Sequence, residues 1–475
     1  MFKRLTLVLA LLAVLAIVAA CASPTPAPQP TAAPAQPTAA PQPTTAPAQP
    51  TSAPAAGNVK ELKILWAQWD PANYLQQMGN LYEQETGIKV TVVQEPWGTF
   101  GDRFFTAMAA KSTEWDMVVG DSQWIGQGAT SGYYVDLTDF MKSNGIDKSV
   151  TQATLQYYGE YPAGSGKYWA YPTEGDADGW AYRKDLFEDQ ANKDAFKAKY
   201  GYDLAVPKTY KELMDIANFF TQKDKGLYGV AIYSQKDYDA ITMGVENTMF
   251  PWGGVWQDKD NNVMGIVNSQ NNIDALQAYK DLYDCCQAPG LSNAFYQETN
   301  DAFTGGKVAM AMNYFAFFPA LTNPATNKYA NSTGFFPNPA GPKGDKGAAL
   351  GGQGTSIISF ISDERKQAAM DFLKWFAEEK NQAKWAELGG YTCNANVLKT
   401  DAFLKAQPYN PAFAETMTFV KDFWNIPVYA QLLQVTQTDF HKFVVEGQGT
   451  AKETMDDIAT QHDKILKENG YIKSQ

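Results

Sequence analysis

The chain has 475 residues, with 39 Lys and Arg against 51 Asp and Glu, a formal net charge of −12. An acidic balance of this size lacks the basic footprint that nucleic acid or an anionic membrane surface requires. Only two histidines occur, His441 and His462, and the four cysteines show no CxxC spacing. A Ser/His triad, a His-based zinc site and a thiolate metal site therefore have no support.

The N-terminus reads as a signal peptide over residues 1–20. Lys3 and Arg4 precede the apolar run Leu5 to Val18, which is too short to span a bilayer and ends in Ala19-Ala20-Cys21. Cysteine directly after Ala-Ala resembles the lipobox of bacterial lipoproteins, which implies a lipid on Cys21 and export to the outer face of the cytoplasmic membrane. The bland alternative is an ordinary cleaved signal beside a chance cysteine. Loss of Lys3 and Arg4 leaves 37 basic against 51 acidic residues, a net −14.

Residues 21–57 read as a stalk. Eleven of the 26 prolines fall between residues 22 and 57, amid Ala, Thr, Gln and Ser, without a charged or aromatic residue. Pro34-Ala35-Gln36-Pro37-Thr38 recurs as Pro47-Ala48-Gln49-Pro50-Thr51. This composition cannot build a core and favours extended polyproline conformations, with a reach on the order of 100 Å. A docking ligand for aromatic grooves is the alternative, but the flanking basic residue is missing.

The body begins at residue 58. Its length favours two lobes, and no later segment has the length and apolarity of a membrane span. Glu61 to Trp66 reads as a strand. Asp70-Pro71 reads as a helix start, with Tyr74, Leu75, Met78, Leu81 and Tyr82 at helical spacing and Gly87 as the stop. Ile88 to Val93 is the next strand, Phe100 to Ala110 the next helix and Asp116 to Gly120 a buried strand. This alternation predicts an α/β fold with a mainly parallel sheet flanked by helices, and ligands in such sheets sit beyond the carboxyl ends of the strands. Trp69, Trp97 and Trp124 follow the first three strands there, beside Asp70, Glu95 and Asp121. A flat ring beside a carboxylate suits a sugar, whose C–H face packs on the ring while hydroxyls donate to the carboxylate.

Further along, Thr209 to Glu212 forms a capping-box pattern, as does Thr450 to Glu453 before a last helix carrying Met455, Ile458 and Ile465 on one face. A hairpin is predicted to turn at Asp258 to Asn262. Trp375 and Trp385 fall in the helical stretch Asp363 to Leu388 and are assigned to core packing. His462 lies on an apolar helix face and reads as a packing residue. Cys285 and Cys286 are adjacent and Cys393 stands alone, so a vicinal bridge, a pairing with Cys393 and free thiols all remain open.

The stretch Tyr82-Glu83-Gln84-Glu85-Thr86-Gly87-Ile88-Lys89-Val90 is similar to the FExxTGIKV element of family 1 extracellular solute-binding proteins, the maltose-binding-protein-like receptors of ABC sugar importers. Tyr171-Pro172 with Tyr182-Arg183-Lys184-Asp185-Leu186-Phe187 resembles a second element of that family. Ala302-Phe303 with Gly306-Lys307-Val308-Ala309-Met310 resembles a third, and Gly389-Gly390 a late turn. The resemblance covers about Lys60 to Gly470. It implies a type II periplasmic-binding-protein-like fold with a ligand cleft between two lobes. The first lobe is expected over 58–175, the second over 176–310, a return to the first over 311–355 and the rest of the second over 356–475. Crossings are expected near Glu174 to Trp180, Met310 to Tyr314 and Gln353 to Ile358.

The expected ligand-binding residues are Trp69, Trp97, Asp121 and Trp124 from the first lobe, and Glu174, Asp176, Tyr314 and Gln353 from the crossings. Trp252, Trp256 and Tyr391 are expected from the second lobe, with Trp424 a further candidate. Gly351-Gly352-Gln353-Gly354 lets backbone approach a ligand or merely turns beside a crossing. The implied function is capture of a neutral di- or oligosaccharide and delivery to an ABC permease, by a monomer without catalytic residues, metal or cofactor. Clustered Glu174, Asp176 and Asp178 make only a weak calcium pattern. They also leave open a lipid-anchored glycoside hydrolase. The same fold holding a polyol, a glycerol phosphate or a peptide-like solute is the remaining alternative.

Overall fold

The computed structural model describes residues 59–472, which fall within one unit, Ala53–Gln475. The expected signal peptide, Cys21 and stalk lie outside the described residues. Strand β1 (Glu61–Ala67) buries Leu62, Ile64, Leu65 and Trp66 and runs into helix α1 (Asp70–Thr86). Trp69 occupies the N-cap position and Asp70 is the first helical residue, so Asp70 does not cap the helix by its side chain as expected. Its charge still sits at the positive end of the helix dipole. The buried face of α1 carries Leu75, Met78 and Tyr82, and Gly87 ends the helix in the left-handed conformation, φ 75°. Strand β2 (Lys89–Glu95) pairs with β1 in parallel. Helix α2 (Trp97–Ala109) starts earlier than predicted because Pro96 sits at its cap. Strand β3 (Met117–Asp121), helix α3 (Trp124–Thr130), helix α4 (Gln152–Tyr158) and strand β4 (Tyr171–Glu174) follow.

The chain then passes directly into a second sheet through strand β5 (Asp178–Arg183). Helix α5 (Tyr210–Phe220) opens with the predicted capping box: Glu212 N–H donates to the Thr209 hydroxyl, and Thr209 N–H donates to the Glu212 carboxylate. Strand β6 (Tyr228–Ala231), helix α6 (Gln270–Cys286), helix α7 (Tyr296–Thr304), strand β7 (Val308–Tyr314) and strand β8 (Thr333–Phe336) complete this part. Asp258 to Asn262 does close a turn, with Asp258 accepting from Asp260 N–H and Asn262 N–H. Its flanks pair with no strand among the described residues, so the predicted hairpin is a capped loop.

A short strand β9 (Ala348–Ala349) precedes β10 (Gln353–Ile357), which lies between β3 and β4. Helices α8 (Asp363–Ala377) and α9 (Glu379–Leu388) divide the single helical stretch predicted there at extended Glu378, and α8 packs on α1 and β1. Trp385 and Trp375 are buried, as assigned. Strand β11 (Val420–Lys421) pairs with β9, and helices α10 (Tyr429–Val444) and α11 (Ala451–Glu468) pack on α6. Thr450 caps α11 by accepting from Glu453 N–H. His462 on α11 is fully buried, its Nε2 3.1 Å from Leu432 O, and burial holds it down at about 4. Cys285 and Cys286 form a vicinal disulfide, and Cys393 is a buried thiol.

The first sheet has the order β2-β1-β3-β10-β4 and the second β6-β7-β5-β8. Both are mixed rather than mainly parallel. β10 runs antiparallel to β3 and β4, and β5 antiparallel to β7 and β8. The reversal belongs to the strands by which the chain enters or leaves a lobe. Crossings lie between β4 and β5, between β9 and β10, and around β11, which pairs with β9. The expected return over 311–355 is therefore corrected. All seven residues of β7 are buried between β6 and β5, and β8 pairs with β5, so the chain stays in the second lobe until β10. The expected placement of 356–475 is likewise divided, since α8 and α9 cover the first sheet and only α10 and α11 the second lobe.

Candidate functional site

The ends of β1 and β2 bring Trp66, Trp69 and Trp97 into a ladder. Trp69 meets Trp66 edge-on at 5.5 Å and Trp97 edge-on at 5.5 Å. Trp66 is fully buried and donates through Nε1 to Gln353 Oε1 at 2.5 Å, which fixes the inner end of the ladder to β10. Trp97 forms the outer end and is 46% exposed. The Nε1 of Trp69 is buried and has no protein acceptor. Trp124, the expected third ring, turns the other way: it is 5% exposed and stacks on Phe104 at 5.6 Å and 7°. The glycines on either side explain the turn, because a Cβ at Gly120 would lie 2.8 Å from the Trp124 ring and one at Gly101 3.2 Å. Trp124 is a core residue of the first lobe.

Beside this ladder a cavity of about 420 Å³ lies between the lobes. Asp70 and Tyr74 of α1 and the Gly389-Gly390-Tyr391 turn line one side; Tyr296 and Asn300 of α7 and Phe317 after β7 line the other. Tyr296 and Phe317 stack at 4.1 Å and 16°, and Tyr296 is 37% exposed. Tyr391 was expected in the second lobe; it stands on the turn after α9 and reaches across to donate to Phe315 O at 2.9 Å. Apolar faces from both lobes thus meet a rim of exposed Asp70, Gln297, Glu387 and Gln407.

At the base of the lobes the carboxylates divide into two sets. Asp121, at the end of β3, accepts from Gln353 Nε2 and from Gln123 Nε2 at 3.3 Å. Asp239, in the π-helical turn 238–242 after β6, accepts from the Tyr314 hydroxyl at 2.7 Å. Asp422, just after β11, accepts from the Ser122 hydroxyl at 2.5 Å. Burial raises Asp121 to about 6 and Asp239 and Asp422 to about 7, and Asp121 adds a like charge that raises the other two. The second set lies inside the first crossing. Glu174 is fully buried, accepts from Tyr391 N–H at 3.3 Å and has one oxygen without a partner. Asp176 accepts from Ala177 N–H and Ala316 N–H, and Asp178 is buried with both oxygens unpartnered. Burial pushes all three well up. Glu174 and Asp176 line neither interlobe cavity and belong to the hinge. Gly352 lets these segments meet: a Cβ there would lie 1.9 Å from the Tyr158 hydroxyl.

Trp256 is buried against Trp424 at 4.6 Å and donates to Glu246 Oε1 at 2.6 Å. Both rings line a separate cavity. Trp252 packs edge-on against Tyr210 at 4.7 Å and lines neither cavity. Its short helix, 250–252, ends at left-handed Gly253, φ 78°. Sequence reasoning missed Asp239, Asp422, Tyr296 and Phe317. Asp239 and Phe317 sit in short helical turns, Tyr296 at a helix start and Asp422 just after a strand, stretches too short for a period to mark them; Asp422, between Lys421 and Phe423, was legible only as a charge near Trp424.

Residues 67–383 match the family model described as bacterial extracellular solute-binding protein, which is more than half of the chain. The chain belongs to this family. It is 24% identical over 343 residues to a probable ABC transporter-binding protein of Deinococcus radiodurans, covering 71% of this chain and 76% of that one. Its fold is similar to a maltose-bound MalE3 of T. maritima, with TM-score 0.71, 22% identity and coverage of 86% and 100%. A solute-binding protein of Agrobacterium radiobacter K84 in complex with ribitol gives TM-score 0.70, 24% identity and coverage of 86% and 99%. These likenesses establish the two-lobed α/β binding-protein fold of this family member. Among the described residues no helix is long and apolar enough to cross a membrane.

Proposed function

We propose that this solute-binding protein captures a neutral carbohydrate or polyol between its lobes and delivers it to the membrane subunits of an ABC importer. The observation that carries this reading is the 420 Å³ interlobe cavity with stacked Tyr296 and Phe317 on one wall and Tyr391 and Tyr74 on the other. Ring faces with few ionic partners suit the C–H faces of a sugar, and the polar rim suits its hydroxyls. The ribitol and maltose bound by the two structural relatives are of this class. A ligand touching both lobes favours the closed arrangement, which is the form a permease would read.

The protein acts as a carrier and not as a hydrolase. Glu174, Asp176 and Asp178, the carboxylates closest in sequence, are enclosed in the crossing and line neither cavity, so they are not placed on opposite sides of a scissile bond. Cys21 carries the lipid that holds the protein to the outer face of the membrane, and the Pro-rich stalk spaces the monomeric body from it. Cys21→Ser is expected to move the protein from the membrane fraction to the soluble fraction; retention in the membrane would refute the anchor.

A thermal-shift titration with carbohydrates and polyols tests the ligand class. A ligand that binds only the folded form stabilises it by about 2.7 kcal/mol at a hundredfold excess over Kd, so Tm rises with concentration. The expected result is such a rise with the compound recovered unaltered. A rise with amino acids or peptides alone would overturn the reading, and breakdown of a glycoside would favour the hydrolase.

A further inference from the structure

We propose that the second interlobe cavity is a binding site for one small neutral polyhydroxyl compound, a polyol or a single sugar ring. It shares no lining residue with the first. Gln156 and Tyr157 of α4 line it from the first lobe, Trp256 and Gln257 from the second, and Asp422 and Trp424 from the third crossing.

Two unsatisfied atoms identify the ligand chemistry. Trp424 is 3% exposed, and its Nε1 is buried without an acceptor. Gln257 uses its amide nitrogen on Asn261 Oδ1 at 3.1 Å, which leaves Oε1 as the free end, and that oxygen is buried without a donor. A buried unpaired donor and a buried unpaired acceptor each cost free energy unless something completes them. A diol does both, since one hydroxyl oxygen accepts from the indole and another O–H donates to the amide. Trp256 and Trp424 supply apolar faces. The lining carries both signs, Lys259 and Lys421 with Asp258 and Asp422, so no single charge dominates it to select an ion. The volume, about 260 Å³, lies just below the range of roughly 300–1,000 Å³ for drug-sized ligands, which limits the occupant to one ring or a short polyol.

An occupant would touch both lobes and the third crossing together. It would therefore favour the arrangement in which they meet, and by reciprocity would strengthen binding in the first cavity. The site stands on its own residues and does not depend on what the first cavity takes.

The test is a titration of the isotope-labelled protein with ribitol and, separately, with D-glucose, following the tryptophan indole N–H resonances. Trp424→Phe identifies the reporter by loss of its signal. Ala163→Trp, at an exposed position lining this cavity, fills it without disturbing a buried side chain. The expected result is a saturable shift of the Trp424 resonance with at least one probe, weakened several-fold in Ala163→Trp. No shift with either probe, or an equal shift in Ala163→Trp, would overturn the proposal. Saturable calorimetric binding of a probe with the Trp424 resonance unmoved would assign that probe to the first cavity and refute this site.

Discussion

Single side chains decide whether the first cavity grips a ring. Tyr296 stands half in solvent with its face against Phe317, so it presents a preformed platform that loses little conformational freedom on binding. Tyr296→Ala is expected to weaken ligand binding at least tenfold, about 1.4 kcal/mol, with Tm unchanged, because the ring is at the surface of α7. Calorimetry of the variant beside the wild type would show it, and unaltered affinity would remove Tyr296 from the site. Trp252→Ala, by contrast, is expected to leave affinity alone and lower stability, since its ring packs on Tyr210. In the second lobe, the Thr209 hydroxyl serves only the helix it caps. Thr209→Ala is expected to cost about 1 kcal/mol in denaturant unfolding without affecting binding.

Secondary structure elements bring these residues together, and much of that level was legible in the sequence. The capping boxes at Thr209 and Thr450, the stop at Gly87 and the apolar face of α1 are local patterns, and local patterns survive folding. The crossings were not legible to the same degree. β7 reads as an apolar run in either lobe, and only its pairing between β6 and β5 assigns it to the second. The three tryptophans after β1, β2 and β3 illustrate the same limit. Their equivalent topological positions were visible, but the glycines that admit the Trp124 ring into the core act through space. Asp239 and Asp422 have no periodic neighbours at all; the sheets bring them near Asp121 only once both lobes are in place. The closeness of the crossing segments gives a prediction at this scale. Gly352→Ala would force a methyl group against the Tyr158 hydroxyl and the Glu174 carbonyl, and is expected to cost about 1–3 kcal/mol in unfolding free energy. Stability equal to wild type would mean the crossing is looser than described.

For the two lobes as a whole, the carboxylates Asp121, Asp239 and Asp422 come from β3, the helical turn after β6 and the segment after β11, with Asp176, Asp237 and Glu246 nearby. Each of the first three is raised in the folded protein above an unfolded value of about 3.9. The folded state therefore holds these protons more tightly, so their contribution to stability is full below about pH 4 and is lost as pH rises through about 6 to 7. Buried His462 acts in the opposite sense, losing stability as pH falls from about 6.5 toward 4. The carboxylate effect is isolated by comparison with Asp422→Asn, whose Tm should fall less than wild type between pH 5 and pH 8. An identical fall would show that this residue does not titrate in that window. What the first cavity holds decides whether the protein is a sugar carrier. Isothermal calorimetry of the mature protein against ribitol, glucose, maltose and maltotriose, with each compound assayed afterwards for integrity, tests it directly. Saturable heat with at least one of them, recovered intact and weakened by Tyr296→Ala, is the predicted result. Absence of heat across the panel, or cleavage of the glycosides, would contradict it.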